Sequence, residues 1–239
     1  MPTALELRRQ RTKELTDRQK EEYNILNVPN MELFPQETVY ILGGGASLKD
    51  FDFEKLRDKF VIGCNDAYTL GWGLVNLLFF GDTKWWLQHQ DRLLSSYHGP
   101  IVTLLRLKHL PHGRLFYMEM DRGNLSVKGD TLGWFQNSGI AAMNLGLLLG
   151  ARTIVLLGFD CHIPAGEMTL PVEERSSNWY KNECFTPLER TYARFLGRWD
   201  EVGKQLPGKF PDVSVINANP GSSLELLQKI DWEKAMETY

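Results

Sequence analysis

The sequence predicts an α/β domain built on a mainly parallel sheet with helices on both faces. From Thr38 onward, apolar runs rich in Val, Ile, Leu and Phe alternate with helical segments, which is typical of strands joined by crossover helices. Most of these runs end at Gly, Asn or Asp, residues favoured in turns. The chain of 239 residues is 43% hydrophobic and can therefore bury the core of one large domain.

Residues 1–30 are expected to form an N-terminal helical arm, and residues 31–239 the α/β domain. The arm mixes basic residues with acidic ones, which favours a solvated helix lying on the domain or on a partner subunit in a homo-oligomer. The net charge of -3 makes nucleic acid an unfavoured partner. A local basic segment around Arg106 and Arg114 keeps that alternative open.

Seven predicted strands follow one another along the domain. Each is a short run of β-branched, aromatic or aliphatic residues bounded by small or polar ones. In chain order they are residues 39–42, 60–64, 74–80, 101–105, 115–118, 153–157 and 213–217. A short helical piece over residues 53–58 is expected to join the first two strands.

The clearest predicted helix is apolar almost all round and covers residues 140–149. Ser138 is suited to cap its N-terminus, and Gly150 to follow its last turn in the left-handed conformation. Because no face of this helix is polar, it must be covered on more than one side.

Three further segments complete the predicted layout. Residues 161–185 are rich in Pro, Gly and polar groups and directly follow a strand, so they are expected to form a lid-like loop. Thr186 and Pro187 predict the start of a helix that extends to Leu206. A C-terminal helix is expected to begin near Ser223.

Three consecutive glycines, Gly43, Gly44 and Gly45, follow the first strand and precede Ser47. Glycines let the backbone approach a ligand closely, and their amide groups would then be free to face an anion. Loops of this kind after the first parallel strand hold nucleotide phosphates in many α/β proteins. The alternative is a tight turn without a ligand.

Polar turns follow most of the predicted strands, and in a parallel sheet they would line one edge. The crevice at that edge is the usual ligand site of such sheets. The turns are Gly43 to Ser47, Asn65-Asp66, Gly81-Asp82, Gly158-Phe159-Asp160 and Asn217 to Ser223. Asn137-Ser138-Gly139, at the start of the apolar helix, adds to them.

The segment from Thr38 to Ser222 resembles bacterial CMP-sialic-acid-dependent sialyltransferases and related phage-encoded proteins. The similarity lies in Gly-Gly-Gly-Ala-Ser-Leu, Val-Ile-Gly-Cys-Asn, Asn-Ser-Gly-Ile-Ala-Ala and Leu-Leu-Gly-Phe-Asp, in that order. The resemblance implies a single Rossmann-like domain that binds a CMP-type sugar nucleotide as donor substrate, with no metal or other cofactor required.

The resemblance also implies which residues contact the donor. Gly44, Ser47 and Asn65 would contact its phosphate and sugar, Ser138 and Gly139 would face the same ligand, and Asn219 and Ser222 would lie near the nucleoside. Together with the neighbouring turn residues, the candidate binding set is Gly43, Gly44, Gly45, Ser47, Asn65, Asp66, Asn137, Ser138, Gly139, Gly158, Asn219 and Ser222.

The chain departs from the family in the lid-like loop, where the sialyltransferases carry a catalytic histidine and phosphate-stabilising tyrosines. The comparable segment, residues 175–182, contains no histidine, although Tyr180 could replace one tyrosine and Arg175 or Lys181 could meet phosphate. Glycosyl transfer to a hydroxyl needs a group that accepts its proton. His162 and Asp160 are the best candidates for this base, followed by Asp82.

The sequence therefore predicts a glycosyltransferase-like enzyme with an unidentified acceptor. One alternative is a pyrophosphokinase in which Asp82 and Asp160 hold magnesium; another is a non-catalytic nucleotide-binding or structural protein of phage origin. Cys64, Cys161 and Cys184 lack the spacing of a zinc site or disulfide framework. With no signal peptide or membrane span expected, the predicted location is the cytoplasm of a bacterium or phage-infected host.

Overall fold

The computed structural model describes residues 26, 38–107, 113–171, 174, 178–179 and 188–239. The strands in these ranges are β1 (Thr38–Leu42), β2 (Val61–Cys64), β3 (Leu77–Phe80), β4 (Ile101–Thr103), β5 (Leu115–Tyr117), β6 (Glu119–Arg122), β7 (Thr131–Trp134), β8 (Thr153–Leu157), β9 (Ser214–Asn217) and β10 (Gln228–Lys229). The α-helices are α1 (Thr83–Ser96), α2 (Ser138–Leu148), α3 (Glu189–Lys209) and α4 (Trp232–Thr238). All seven predicted strands are confirmed.

Eight strands form one sheet in the order β10-β9-β8-β1-β2-β3-β4-β5, and every neighbouring pair is parallel. Strand β1 pairs with β2 on one side and with β8 on the other. The order of strands therefore reverses beside β1. Such a reversal opens a crevice outside the carboxyl ends of the strands. The predicted Rossmann-like α/β domain is confirmed.

Both faces of the sheet are covered, as predicted. Because side chains alternate along a strand, Val39 and Ile41 point into one core and Tyr40 and Leu42 into the other. The first core contains residues of α2 and α3, and the second contains residues of α1 and α4. Strands buried on both faces read as continuous apolar runs, which explains why the sequence identified them.

Helix α2 crosses the core beneath the switch in strand order. Its residues from Gly139 to Leu147 are all buried, as expected for a helix that is apolar all round. Its cap is Asn137, whose Oδ1 accepts a hydrogen bond from the Ile140 amide at 3.1 Å, so the prediction of Ser138 was wrong by one residue. Gly150 follows the helix with φ of 94°, as predicted.

The chain near the C-terminus differs from the prediction. Helix α4 begins at Trp232, where Asp231 caps it, and not near Ser223. The Ser222 hydroxyl accepts a hydrogen bond from the Leu224 amide, which holds the chain in a turn. The short strand β10 then extends the sheet before α4 begins.

Helix α1 and the strands β6, β7 and β10 were not predicted. Helix α1 directly follows β3 and is capped by Asp82, whose Oδ1 accepts from the Trp85 amide at 2.9 Å. Strands β6 and β7 form a separate two-stranded parallel sheet before α2.

The predicted N-terminal arm lies outside the described residues except for Leu26, which is buried and donates its amide to the Tyr117 carbonyl at the edge of β5. Thr186 and Pro187 also lie outside them; the described helix α3 begins at Glu189. No helix in the described ranges has the length and apolar character needed to cross a bilayer.

Candidate functional site

A cavity of about 820 Å³ opens at the point where the strand order reverses. Its walls come from the loops that follow β1, β2, β3, β7 and β8 and from the first turns of α3. Eleven of the predicted site residues line it: Gly43, Gly44, Gly45, Asn65, Asp82, Asn137, Ser138, Gly139, Gly158, Asp160 and His162. The loops at the strand ends thus converge as the sequence analysis expected.

Four predicted site residues, Ser47, Asp66, Asn219 and Ser222, are not among the residues that line the cavity. The buried hydroxyl of Ser222 donates to the Phe159 carbonyl at 2.6 Å. The buried carboxylate of Asp66 accepts from the indole of Trp85 at 2.5 Å, and burial raises the pKa of Asp66. These residues support the wall.

The carboxylate of Asp160 joins three loops at the cavity wall. Its Oδ1 accepts from the Ser47 hydroxyl at 2.5 Å and from the Asn219 amide at 2.8 Å. Its Oδ2 accepts from the Ser47 backbone amide at 2.8 Å. Asp160 is only 6% exposed, so these donors offset the cost of burying its charge. A carboxylate engaged in this way is well suited to holding loops together.

The glycine triplet fits closely against the loop that follows β8. The Gly43 amide donates to the Leu157 carbonyl and the Gly45 amide to the Gly158 carbonyl, both at 2.8 Å. The expectation that these two amides are free for an anion was therefore wrong. A Cβ on Gly45 would lie 2.4 Å from Asp160 Oδ1, so the absence of a side chain makes room for the protein itself.

Trp179, in the predicted lid-like loop, binds the carbonyl groups of the same triplet. Its backbone amide donates to the Gly44 carbonyl at 3.0 Å and its indole to the Gly43 carbonyl at 2.9 Å. Its ring packs on Phe53 with centroids 4.8 Å apart. The neighbouring Asn178 lines the cavity, so this part of the loop does reach the site.

The N-terminus of α2 points its first turn at the cavity. The Asn137 side chain accepts a hydrogen bond from the Ile140 amide, and the Asn137 backbone carbonyl accepts one from the Ala141 amide. The preceding amides, those of Ser138 and Gly139, have no acceptor within the helix, because helical bonding starts later in the chain. Both residues line the cavity, where the positive end of the helix favours an anion.

Of the three base candidates, His162 and Asp82 form fewer side-chain hydrogen bonds than Asp160. His162 is half-buried, and its Nδ1 lies 2.9 Å from the Asp160 carbonyl oxygen. When Nδ1 carries the hydrogen and donates to that oxygen, Nε2 keeps its lone pair and can accept a proton. Asp82 is exposed and also caps α1 through its Oδ1.

Residues that the sequence analysis did not select also form the cavity. Arg190 and Arg194 line it from the first turns of α3. Their spacing of four residues in a predicted helix would have placed them on one face, and this was the available signal. Gln136 and Cys161 line it as well and share with Asn65 a positive φ, from 52° to 55°. All three non-glycine residues with positive φ in the described ranges thus lie at the cavity.

Two buried polar atoms at the cavity have no hydrogen-bond partner in the part of the chain that the structure describes. They are Oδ1 of Asn65 and Nε1 of Trp199. Cys64 and Cys161 also line the cavity, and burial raises the pKa of each thiol to about 12. Both thiols are therefore protonated at neutral pH and are poor nucleophiles.

Within the described ranges, no group of three or more His, Cys, Asp or Glu side chains is arranged to hold a metal ion. In comparisons with known proteins, no family model, curated protein or solved structure matches this chain.

Proposed function

We propose that this protein is a glycosyltransferase-like enzyme that binds a sugar nucleotide in the cavity and transfers the sugar to a hydroxyl group. The observation that carries the proposal is the presence, in one cavity, of a helix N-terminus and an imidazole with one nitrogen available. The helix N-terminus suits the phosphate of a donor, and the imidazole suits the proton of an acceptor. The resemblance to sialyltransferases favours a CMP-type donor.

In the proposed reaction, His162 Nε2 takes the proton of the acceptor hydroxyl as its oxygen bonds to the anomeric carbon. The bond between that carbon and the phosphate oxygen breaks, and its electron pair leaves with the phosphate. The amides of Ser138 and Gly139 face the charge that develops there. Asp82, exposed at the same cavity, is the second candidate for the base.

The pyrophosphokinase alternative has weaker support. It needs Asp82 and Asp160 as magnesium ligands, whereas both oxygens of Asp160 already accept hydrogen bonds from Ser47 and Asn219. A metal would have to displace these donors. A non-catalytic nucleotide-binding or structural role fits the same cavity and differs only in the absence of turnover.

A thermal-shift panel separates these functions. CMP and CMP-sugars are expected to raise the melting temperature in the presence of a chelator, because a ligand that binds only the folded state stabilises it. A shift seen only with ATP and magnesium would favour the pyrophosphokinase. No shift with any nucleotide would contradict nucleotide binding altogether.

Turnover is tested by following CMP release from a CMP-sugar. His162→Asn keeps a donor for the Asp160 carbonyl but removes the base, so release should fall by about 10² to 10⁴ with little change in affinity. His98→Asn, at an exposed histidine outside the cavity, is the matched control. Equal, measurable rates for wild type and His162→Asn would exclude His162 and leave Asp82 as the candidate base. No CMP release by wild type would end the enzyme proposal.

A further inference from the structure

We infer that Arg190 and Arg194 form, together with the N-terminus of α2, a subsite for the phosphate oxygens of an anionic ligand. The inference rests on the proposed function, because it specifies which groups of the cavity would bind the donor phosphate. It assigns the cationic role to α3, a helix for which the sequence predicted no part in the site.

The two arginines share one face of α3. They are four residues apart, both are exposed, and both line the cavity. Within the described ranges, neither guanidinium forms an ion pair with a carboxylate. Arg198, one turn further along, differs in both respects: it does not line the cavity, and it pairs with Glu201 at 2.9 Å. The helix therefore carries, at the cavity, two arginines with no carboxylate partner in the described ranges and, outside it, one arginine with such a partner.

Aromatic packing connects this part of α3 to the N-terminus of α2. The Phe159 ring covers Gly139 so closely that a Cβ there would lie 2.3 Å from the ring. The Phe159 ring also contacts Trp199 on α3, with ring centroids 5.7 Å apart and an interplanar angle of 87°. Trp199 is one turn beyond Phe195, which also lines the cavity. The first turn of α2 and the arginine-bearing turns of α3 thus face a common space.

A third donor lies in the same wall. Trp199 is only 1% exposed and lines the cavity, and its indole Nε1 has no acceptor in the described part of the chain. Leaving a buried donor unpaired is costly, and a ligand oxygen would satisfy it. This orphaned donor is independent of the arginines and points to the same ligand chemistry.

The charges at the cavity favour an anion of the phosphate class. Among the described residues, the cavity-lining carboxylates are Asp82 and Asp160, and Asp160 already accepts three hydrogen bonds. Guanidinium groups bind phosphate through paired, charge-assisted hydrogen bonds and keep their charge at any working pH. They would bind the two negative charges of a departing nucleoside monophosphate more strongly than the single charge of the intact diester.

The test is calorimetric titration of the full chain with inorganic pyrophosphate, CMP and cytidine. Arg190→Gln and Arg194→Gln should each weaken pyrophosphate and CMP binding by about tenfold, the loss expected for a charge-assisted hydrogen bond. Cytidine, which lacks phosphate, should bind with unchanged affinity. Arg198→Gln is the matched control on the same helix and should behave as wild type.

The outcomes separate this subsite from the proposed function. Pyrophosphate binding that is absent in wild type, or unchanged in the Arg190→Gln and Arg194→Gln double variant, overturns the subsite even if sugar transfer is detected. Pyrophosphate binding that depends on both arginines, without any sugar transfer, supports the subsite and counts against the transferase. Because both side chains are exposed, melting temperatures of the variants should match wild type and so exclude unfolding as the cause.

Discussion

Replacing Asp160 by Asn should destabilise the fold through the loops that its carboxylate joins. The oxygens of Asp160 accept hydrogen bonds from the Ser47 amide, the Ser47 hydroxyl and the Asn219 amide. Asparagine has one acceptor oxygen and one donor group at the same positions. Whichever way its amide is turned, an N–H group meets at least one of the existing N–H donors.

The size of the expected loss in stability follows from these contacts. A hydrogen bond to a charged group contributes about 1.5 to 3 kcal/mol, and a buried donor left unpaired costs about 1 to 3 kcal/mol. Asp160→Asn loses one such bond and removes the charge from the other two, so we expect a loss of about 3 kcal/mol in the free energy of unfolding. Ser47→Ala removes only the hydroxyl bond and should cost about half as much.

Urea unfolding at neutral pH measures both variants, with the midpoint as the readout and the slope as a check on two-state behaviour. The expected order of stability is wild type, then Ser47→Ala, then Asp160→Asn. The reasoning is refuted if Asp160→Asn unfolds within about 0.5 kcal/mol of wild type, the range of an ordinary surface change. If Asp160→Asn keeps its stability but loses turnover, Asp160 would instead act in the chemical step.

Two further predictions concern Gly45 and Asp66. Gly45→Ala should lower the free energy of unfolding by about 1 to 3 kcal/mol, because the new Cβ would meet Asp160 and Gly158. In the control Gly73→Ala, no atom lies within 4 Å of the new Cβ, so the urea midpoint should match that of wild type. Equal midpoints for the two variants would contradict the steric explanation. Burial raises the pKa of Asp66 above its ordinary value of 3.8, because the buried site favours the protonated carboxyl. The contribution of Asp66 to the free energy of unfolding is therefore most favourable below pH 3.8 and is lost as the pH rises through the raised pKa. Asp66→Asn, which keeps an acceptor for the Trp85 indole, should therefore gain melting temperature relative to wild type between pH 4 and pH 8, and a constant difference would contradict the shift.

The strands and the position of the cavity were predictable because they depend on local patterns. Apolar runs such as residues 39–42 are buried on both faces and leave little ambiguity. Once the strands are parallel, the turns that follow them must share an edge. Helix α1 was missed because Gln and His residues interrupt its buried side chains, among them Trp85, Trp86 and Leu93.

The detailed roles of residues were less predictable because they depend on partners distant in sequence. The glycine triplet has the composition of a phosphate loop, but its conformation is set by Gly158 and Asp160, more than a hundred residues later. No local pattern distinguishes a glycine that admits a ligand from one that admits another loop. Likewise, Arg198 has a local ion-pair partner in Glu201, three residues later, but that Arg190 lines the cavity depends on the tertiary position of α3.

The pairing of β1 with β8 has a consequence for synthesis on the ribosome. Strand β1 can pair with β2 soon after both emerge, but its other edge waits for β8, where Thr38 comes to lie opposite Thr153. Throughout that interval a central apolar strand exposes unpaired backbone groups, which can recruit other chains. Nascent or truncated chains that stop before β8 should therefore aggregate or need a chaperone.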